Sequence, residues 1–233
     1  MNTERLAVVQ GWADTQATLR RWNARPGKVL RPWALASLAV ALGLLGATWA
    51  VAAIVVPDPW GATFPGLRRP ADLEDYAFVL FRNGLVLALH ALACVAGFMA
   101  GSSLPQVAAG YSGVWRRLHE LAGPLAIAFV AAATLFSLGT QAFALGGGAA
   151  DLAANLGISP GLLLLGLLPH ALPELFALFL PLAAWSIASR ARRWEELLAA
   201  TFVTSAIAVP ILLFAGAIEV WVTPRVLQAL AGW

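Results

Sequence analysis

Five ionisable side chains stand within long apolar stretches of this chain: Arg82, His90, His170, Glu174 and Glu219, with Asn83 and Gln141 as neutral companions. An ionisable group in hydrocarbon costs roughly 2.5–3.5 kcal/mol on insertion scales, so each needs a partner or a polar cavity. His170 and Glu174 are at i and i+4, which puts them on one helix face. Pro169 and Pro173 are also four apart. Each removes a backbone donor and frees a carbonyl one turn back, so a helix kink is expected there. Broken helices at membrane depth are tolerated where they line a cavity or find other partners. Two readings stand side by side. One is a polar site built on a kinked helix. The other is a structural pin, in which His170 and Glu174 satisfy each other or a neighbouring helix. Arg82 either pairs with Glu219 or Glu174, or snorkels outward. His90, alone on an apolar helix, reads as an interhelical hydrogen bond.

No enzyme signature is legible. H-E-x-x-H is absent, and so is G-x-S-x-G. His170 and Glu174 offer two metal ligands and His90 only a conjectural third, so no metal, cofactor or catalytic residue is expected. Gly146-Gly147-Gly148 lacks Lys, Ser or Thr and reads as a flexible turn, not a phosphate loop. This chain is therefore expected to bind no nucleotide. Cys94 is single and lies in an apolar run, which reads as a small buried residue. Glu195-Glu196, beside Arg190, Arg192 and Arg193, reads as a solvated charge cluster.

The elements that hold these residues follow from composition. Of 233 residues, 60% are hydrophobic and 12% charged, where soluble proteins carry about 25% charged. That excludes a soluble globule, a disordered chain and a nucleic-acid binder. The fold class expected is all-α: a polytopic integral membrane protein with five transmembrane helices after an N-terminal amphipathic helix. Residues 1–32 form the amphipathic segment, with Val8, Trp12, Thr15, Leu19 and Trp22 on one face and Arg20, Arg21 and Arg25 following. That helix either lies on the membrane surface or packs on the protein's own loops. Residues 33–233 form one transmembrane domain, with spans at about 33–56, 76–100, 121–145, 161–189 and 197–222. Pro57-Asp58-Pro59 ends the first span. The loop 57–75 closes on Asp72, Glu74 and Asp75, and Arg116, Arg117, His119 and Glu120 mark a second loop over 101–120. The glycine run breaks the third span, a short loop then reaches Pro160, and a short tail follows residue 222.

Basic residues set the orientation. Eleven Lys and Arg lie in the N-terminal segment and the second and fourth loops, against three (Arg68, Arg69 and Arg225) in the other loop and tail. The N-terminus is expected inside a bacterial cytoplasmic (inner) membrane and the C-terminus outside. Trp33, Trp60, Trp115, Trp185, Trp194 and Trp221 fall near the expected interfaces. In this topology all the intramembrane polar groups lie in the outer half or near the midplane, and the cytoplasmic half is almost purely apolar.

Leu168-Pro169-His170-Ala171-Leu172-Pro173-Glu174-Leu175 resembles the "hGxxEl" signature of the stage II sporulation protein M family. Ala217-Ile218-Glu219-Val220-Trp221-Val222-Thr223-Pro224 is similar to that family's closing "iEaxitP" element, and Phe81-Arg82-Asn83-Gly84 to its "F-x-N-N" entry. Ala171 stands where the family has Gly, and Gly84 where a second Asn is common. The pattern carries over onto Asn83, His170, Glu174 and Glu219. The resemblance implies a distant member of the family: a non-enzymatic membrane component that works with other membrane proteins or by self-association. The alternative is a permease-like subunit moving a proton, ion or small solute. The paired prolines and intramembrane carboxylates favour that alternative, and the absence of an inverted repeat opposes it.

Overall fold

The computed structural model describes residues 7–58, 60, 62–103 and 112–232, which are mostly helical and contain no strand. The helices are α1 (Ala7–Asn23), α2 (Pro26–Ile54), α3 (Leu73–Phe98), α4 (Gly113–Leu156), α5 (Pro160–Arg190), α6 (Leu197–Ala217) and α7 (Thr223–Ala231). π-helical turns follow α3 at Met99–Ser103 and join α6 to α7 at Ile218–Val222, and a 3₁₀ turn, Trp194–Glu196, leads into α6. Five segments are long and apolar enough to cross a membrane: Pro26–Ile54, Leu73–Gly101, Ala128–Leu156, Pro160–Arg190 and Trp194–Ala231. The chain is a polytopic all-α membrane protein. Arg5, Pro59 and residues 104–111 lie outside the described residues, as do the side chains of Val8, Trp115, Arg116, His119 and Glu120.

The element borders differ from the sequence expectation in several places, each with a local cause. Pro26 starts α2 seven residues before the expected first span, at a first-turn position where its missing N–H costs nothing. Helix α4 begins at Gly113, so the second loop is shorter than 101–120. It also runs through Gly146-Gly147-Gly148 without a break and ends at Leu156. Gly146 is there for close approach: a Cβ would stand 2.5 Å from Val51 Cβ and 2.9 Å from the Thr48 carbonyl oxygen of α2. The glycine that does end the helix is Gly157, at φ +68°. Helix α5 runs through Pro169, Pro173 and Pro181 without a break, in agreement with the expected span 161–189. The tail beyond residue 222 is helical, as α7.

The residues group into two units. The first comprises Met1–Ser37, Leu87–Thr134 and Leu178–Ala208. In it α1 packs on the chain itself. A Cβ on Gly11 would meet Leu198 and Phe98, and Thr15 and Thr18 are buried beside it. Trp12, on the expected apolar face, is 66% exposed. Trp22 meets the buried Trp33 edge-on at 5.1 Å. Glu196 is buried, not solvated, and holds Arg193 at 3.1 Å and Arg21 at 3.4 Å. Helices α3 and α5 are joined twice: His90 Nδ1 donates to the Leu178 carbonyl at 2.7 Å, and Cys94 Sγ to that of Pro181 at 3.3 Å.

The second unit comprises Leu38–Val86, Leu135–Ala177 and Val209–Trp233. Its apolar core includes Ala52, Ala149, Ala153, Leu156, Leu163 and Leu227. The long loop after α2 is pinned to it: the Asp58 N–H donates to Asp151 Oδ1 at 2.7 Å, Arg68 to Asn155 Oδ1 at 3.2 Å, and Gln228 to the Leu67 carbonyl at 3.1 Å.

Candidate functional site

Three elements of the second unit bring the polar residues together. Helix α3 supplies Arg82 and Asn83, α5 supplies His170 and Glu174, and the α6–α7 junction supplies Glu219 and Thr223.

Helix α3 is started by a reciprocal cap. Asp72 Oδ1 accepts the N–H groups of Glu74 at 2.9 Å and Asp75 at 3.0 Å, and Asp75 Oδ2 accepts the Asp72 N–H at 3.1 Å. Arg69 bridges both carboxylates, at 2.7 Å to Asp75 and 3.2 Å to Asp72. The bond to Asp75 raises the Arg69 guanidinium above its ordinary value, and the Asp75 N–H lowers the Asp72 carboxyl below its own. The sequence marks this acidic cluster as a loop closure, and the Asp-x-x-Asp spacing is the signal that it is a cap. One turn into α3, Tyr76 Oη donates to the Leu213 carbonyl at 2.9 Å, and its ring meets Trp221 at 5.1 Å. These contacts fix α3 against the end of α6, where Gly216 leaves room for Tyr76, Val79 and Leu80.

Glu219 lies inside the π-helical turn Ile218–Val222. One extra residue in a helical turn re-aims the side chains that follow, and such turns gather at functional positions. Here both Glu219 and Thr223 point inward and are buried. Arg82 Nη2 stands 3.5 Å from Glu219 Oε1, with the arginine side chain 55% exposed and that of Glu219 8%. Arg82 thus does both things allowed for it: it pairs with a carboxylate and keeps its other face outward.

Glu174 faces Glu219 and Asn83 rather than His170. His170 Nδ1 shares a 2.8 Å hydrogen bond with Thr223 Oγ1 instead, beside the ring of Phe64. The i,i+4 spacing puts both residues on one face of α5, but each reaches a different residue of the α6–α7 junction. Three polar atoms at the centre lack a hydrogen-bond partner: Asn83 Nδ2, Glu174 Oε2 and Glu219 Oε2. Asn83 is 2% exposed. Burying such groups unpartnered costs about 1–3 kcal/mol each, so this is where the second unit stores its unsatisfied polarity.

His90 stands in the first unit, on Leu178, and belongs to a different set of contacts. Gln141 Nε2 bonds Ser137 Oγ one turn back in its own helix, at 3.0 Å. Among the described residues no group of three His, Cys, Asp or Glu side chains has a metal-holding arrangement. Sequence reasoning passed over Thr223, which the hydrogen bond to His170 now adds to the cluster. A threonine directly before Pro224 and four residues after an intramembrane glutamate was the available signal.

Comparison with protein-family models, with curated proteins and with solved structures finds no match to this chain.

Proposed function

We propose that this chain is a non-enzymatic membrane subunit that works joined to other membrane protein, either another chain or a second copy of itself. The observation that carries this reading is the third span. Only 6% of its most apolar stretch is buried within the chain, against 28–33% for the other four. Phe129, Leu135, Phe136 and Phe143 all lie open on it. Lipid alone can cover such a face, but a span that its own bundle barely holds is the one available to a partner helix. The resemblance to the stage II sporulation protein M family supports the same reading. Asn83, Glu174 and Glu219, which carry that family's pattern, come from distant parts of the sequence to one place. In this reading the chain sits in a bacterial inner membrane with its N-terminus inside, and binds no nucleotide or nucleic acid.

The test is photo-crosslinking from the third span in intact membranes. A crosslinking residue at Phe136 or Phe143 is expected to give a discrete higher-mass adduct. The same residue at Leu85 of α3 serves as the comparison. Lipid adducts alone at both third-span positions would reject the subunit reading.

A second reading is favoured by the buried carboxylate pair. Glu174 and Glu219 beside Arg82 could form part of a path for a proton or small cation. Uptake measured in sealed vesicles, with Glu174→Gln as the comparison, separates the two readings.

A further inference from the structure

The charges around Glu174 and Glu219 do not balance as ionised groups. From α3 they are faced by Arg82 and the neutral amide of Asn83, and on α5 His170, one turn from Glu174, is engaged with the Thr223 hydroxyl. With His170 neutral, two carboxylates against one guanidinium leave the cluster one positive charge short. Tyr76, the other titratable group at this end of α3, is committed to the Leu213 carbonyl.

The hydrogen bonding is short by the same amount. An ionised carboxylate can only accept. Glu219 Oε1 faces Arg82, while Glu219 Oε2 and Glu174 Oε2 are buried with no donor at all. Asn83 Nδ2 is turned toward Glu174 and completes no bond. One proton would correct both shortfalls. It turns one carboxyl into a donor to the other, and it brings the cluster to zero net charge at a depth where a net charge is strongly disfavoured.

We propose that Glu174 and Glu219 bind a single proton between them, with Arg82 as the counter-charge of the remaining carboxylate, and that this pair is a proton-binding site at membrane depth. The site does not depend on which reading of function holds, because it follows from the contacts of the pair alone.

Infrared spectroscopy of the purified full-length chain in lipid tests this. At neutral pH the wild-type chain is expected to show a protonated-carboxyl stretching band worth one group per chain. Glu174→Gln and Glu219→Gln are each expected to abolish it, since the remaining glutamate then ionises against Arg82. No such band in the wild-type chain would overturn the proposal, and so would a band that survives in both single variants. If a variant does not fold, titration of the wild-type chain decides alone. Raising the pH should remove the band in one step worth one carboxyl. Loss of two carboxyls in two steps would mean that each glutamate carries its own proton.

Discussion

Arg82 is held by one contact and freed by another, and the balance sets what its removal costs. Breaking a buried ion pair from one side typically costs about 3–5 kcal/mol, because the other charge is stranded. Here the arginine side chain is 55% exposed while that of Glu219 is nearly enclosed. Only one partner of this pair is enclosed, so Arg82→Gln is expected to cost less, about 1–3 kcal/mol. Adding Glu219→Gln to that variant should restore part of the loss, since Glu219 then strands no charge and only the Glu174 carboxyl is left without Arg82. Thermal unfolding in detergent of the two singles and the double variant measures this directly. A double variant as weak as the sum of the singles would mean that the two side chains do not interact. Glu174 poses a related question. Glu174→Ala removes the carboxyl that faces Asn83 and Glu219 and should lower folding yield. Glu174→Gln keeps hydrogen-bonding atoms in place and should lower it less. If the Gln variant folds normally and still loses function, the cluster works as a site; if it keeps function, the cluster is a pin.

At the scale of elements, the glycine run of α4 gives the sharpest contrast. Gly146 meets Val51 and the Thr48 carbonyl, whereas Gly147 and Gly148 face open space. Gly146→Ala must push two helices apart and is expected to destabilise by about 1–3 kcal/mol. Gly147→Ala and Gly148→Ala should be neutral or stabilising by up to about 1 kcal/mol, because alanine is the better helix former. Equal effects at all three positions would refute the close-approach account. The cap of α3 makes a pH prediction. The Asp72 carboxyl is held below its ordinary value of 3.8, chiefly by the Asp75 N–H. Its stabilising effect is therefore complete above that value and fades as pH falls through the lower folded one. Asp72→Ala should lower the melting temperature by a few degrees at neutral pH, and the gap from wild type should close under strong acid.

These elements also show what a sequence can reveal. The five spans follow from the length of apolar runs, since hydropathy is summed over some twenty residues and single errors average out. Their borders depend on single residues read out of context. A glycine run breaks a helix only if nothing packs against it, and Val51, nearly a hundred residues earlier, supplied the packing. The polar residues of the site were legible because charge in an apolar run is costly wherever it points. Their pairing was not, because helix periodicity puts His170 and Glu174 on one face without saying what lies opposite. The π-helical turn around Glu219 leaves no composition signal at all, yet it directs both Glu219 and Thr223 inward.

For the whole molecule, the open question with the largest consequence is which side of the membrane the cluster faces. In the orientation expected from the basic residues, with the N-terminal segment and the loop at Arg190, Arg192 and Arg193 on the inner side, the loop between α2 and α3 faces outward. In that orientation Arg82, two turns into α3, lies toward the outer side, and the proposed proton site would exchange with the external medium. Cysteine labelling reads this out. The native Cys94 is buried and donates to the Pro181 carbonyl, so a Cys94→Ala background should fold and remain unlabelled. In that background Thr63→Cys, in the loop after α2, should react in intact cells with a reagent that cannot cross membranes. Arg192→Cys, in the turn before α6, should react only after permeabilisation. Arg192 has φ +53°, a conformation rare outside glycine; Arg190→Cys, at the end of α5, provides a second reporter without that strain. Labelling of either inner-loop cysteine in intact cells would reverse the molecule, and the carboxylate pair would then exchange its proton with the cytoplasm.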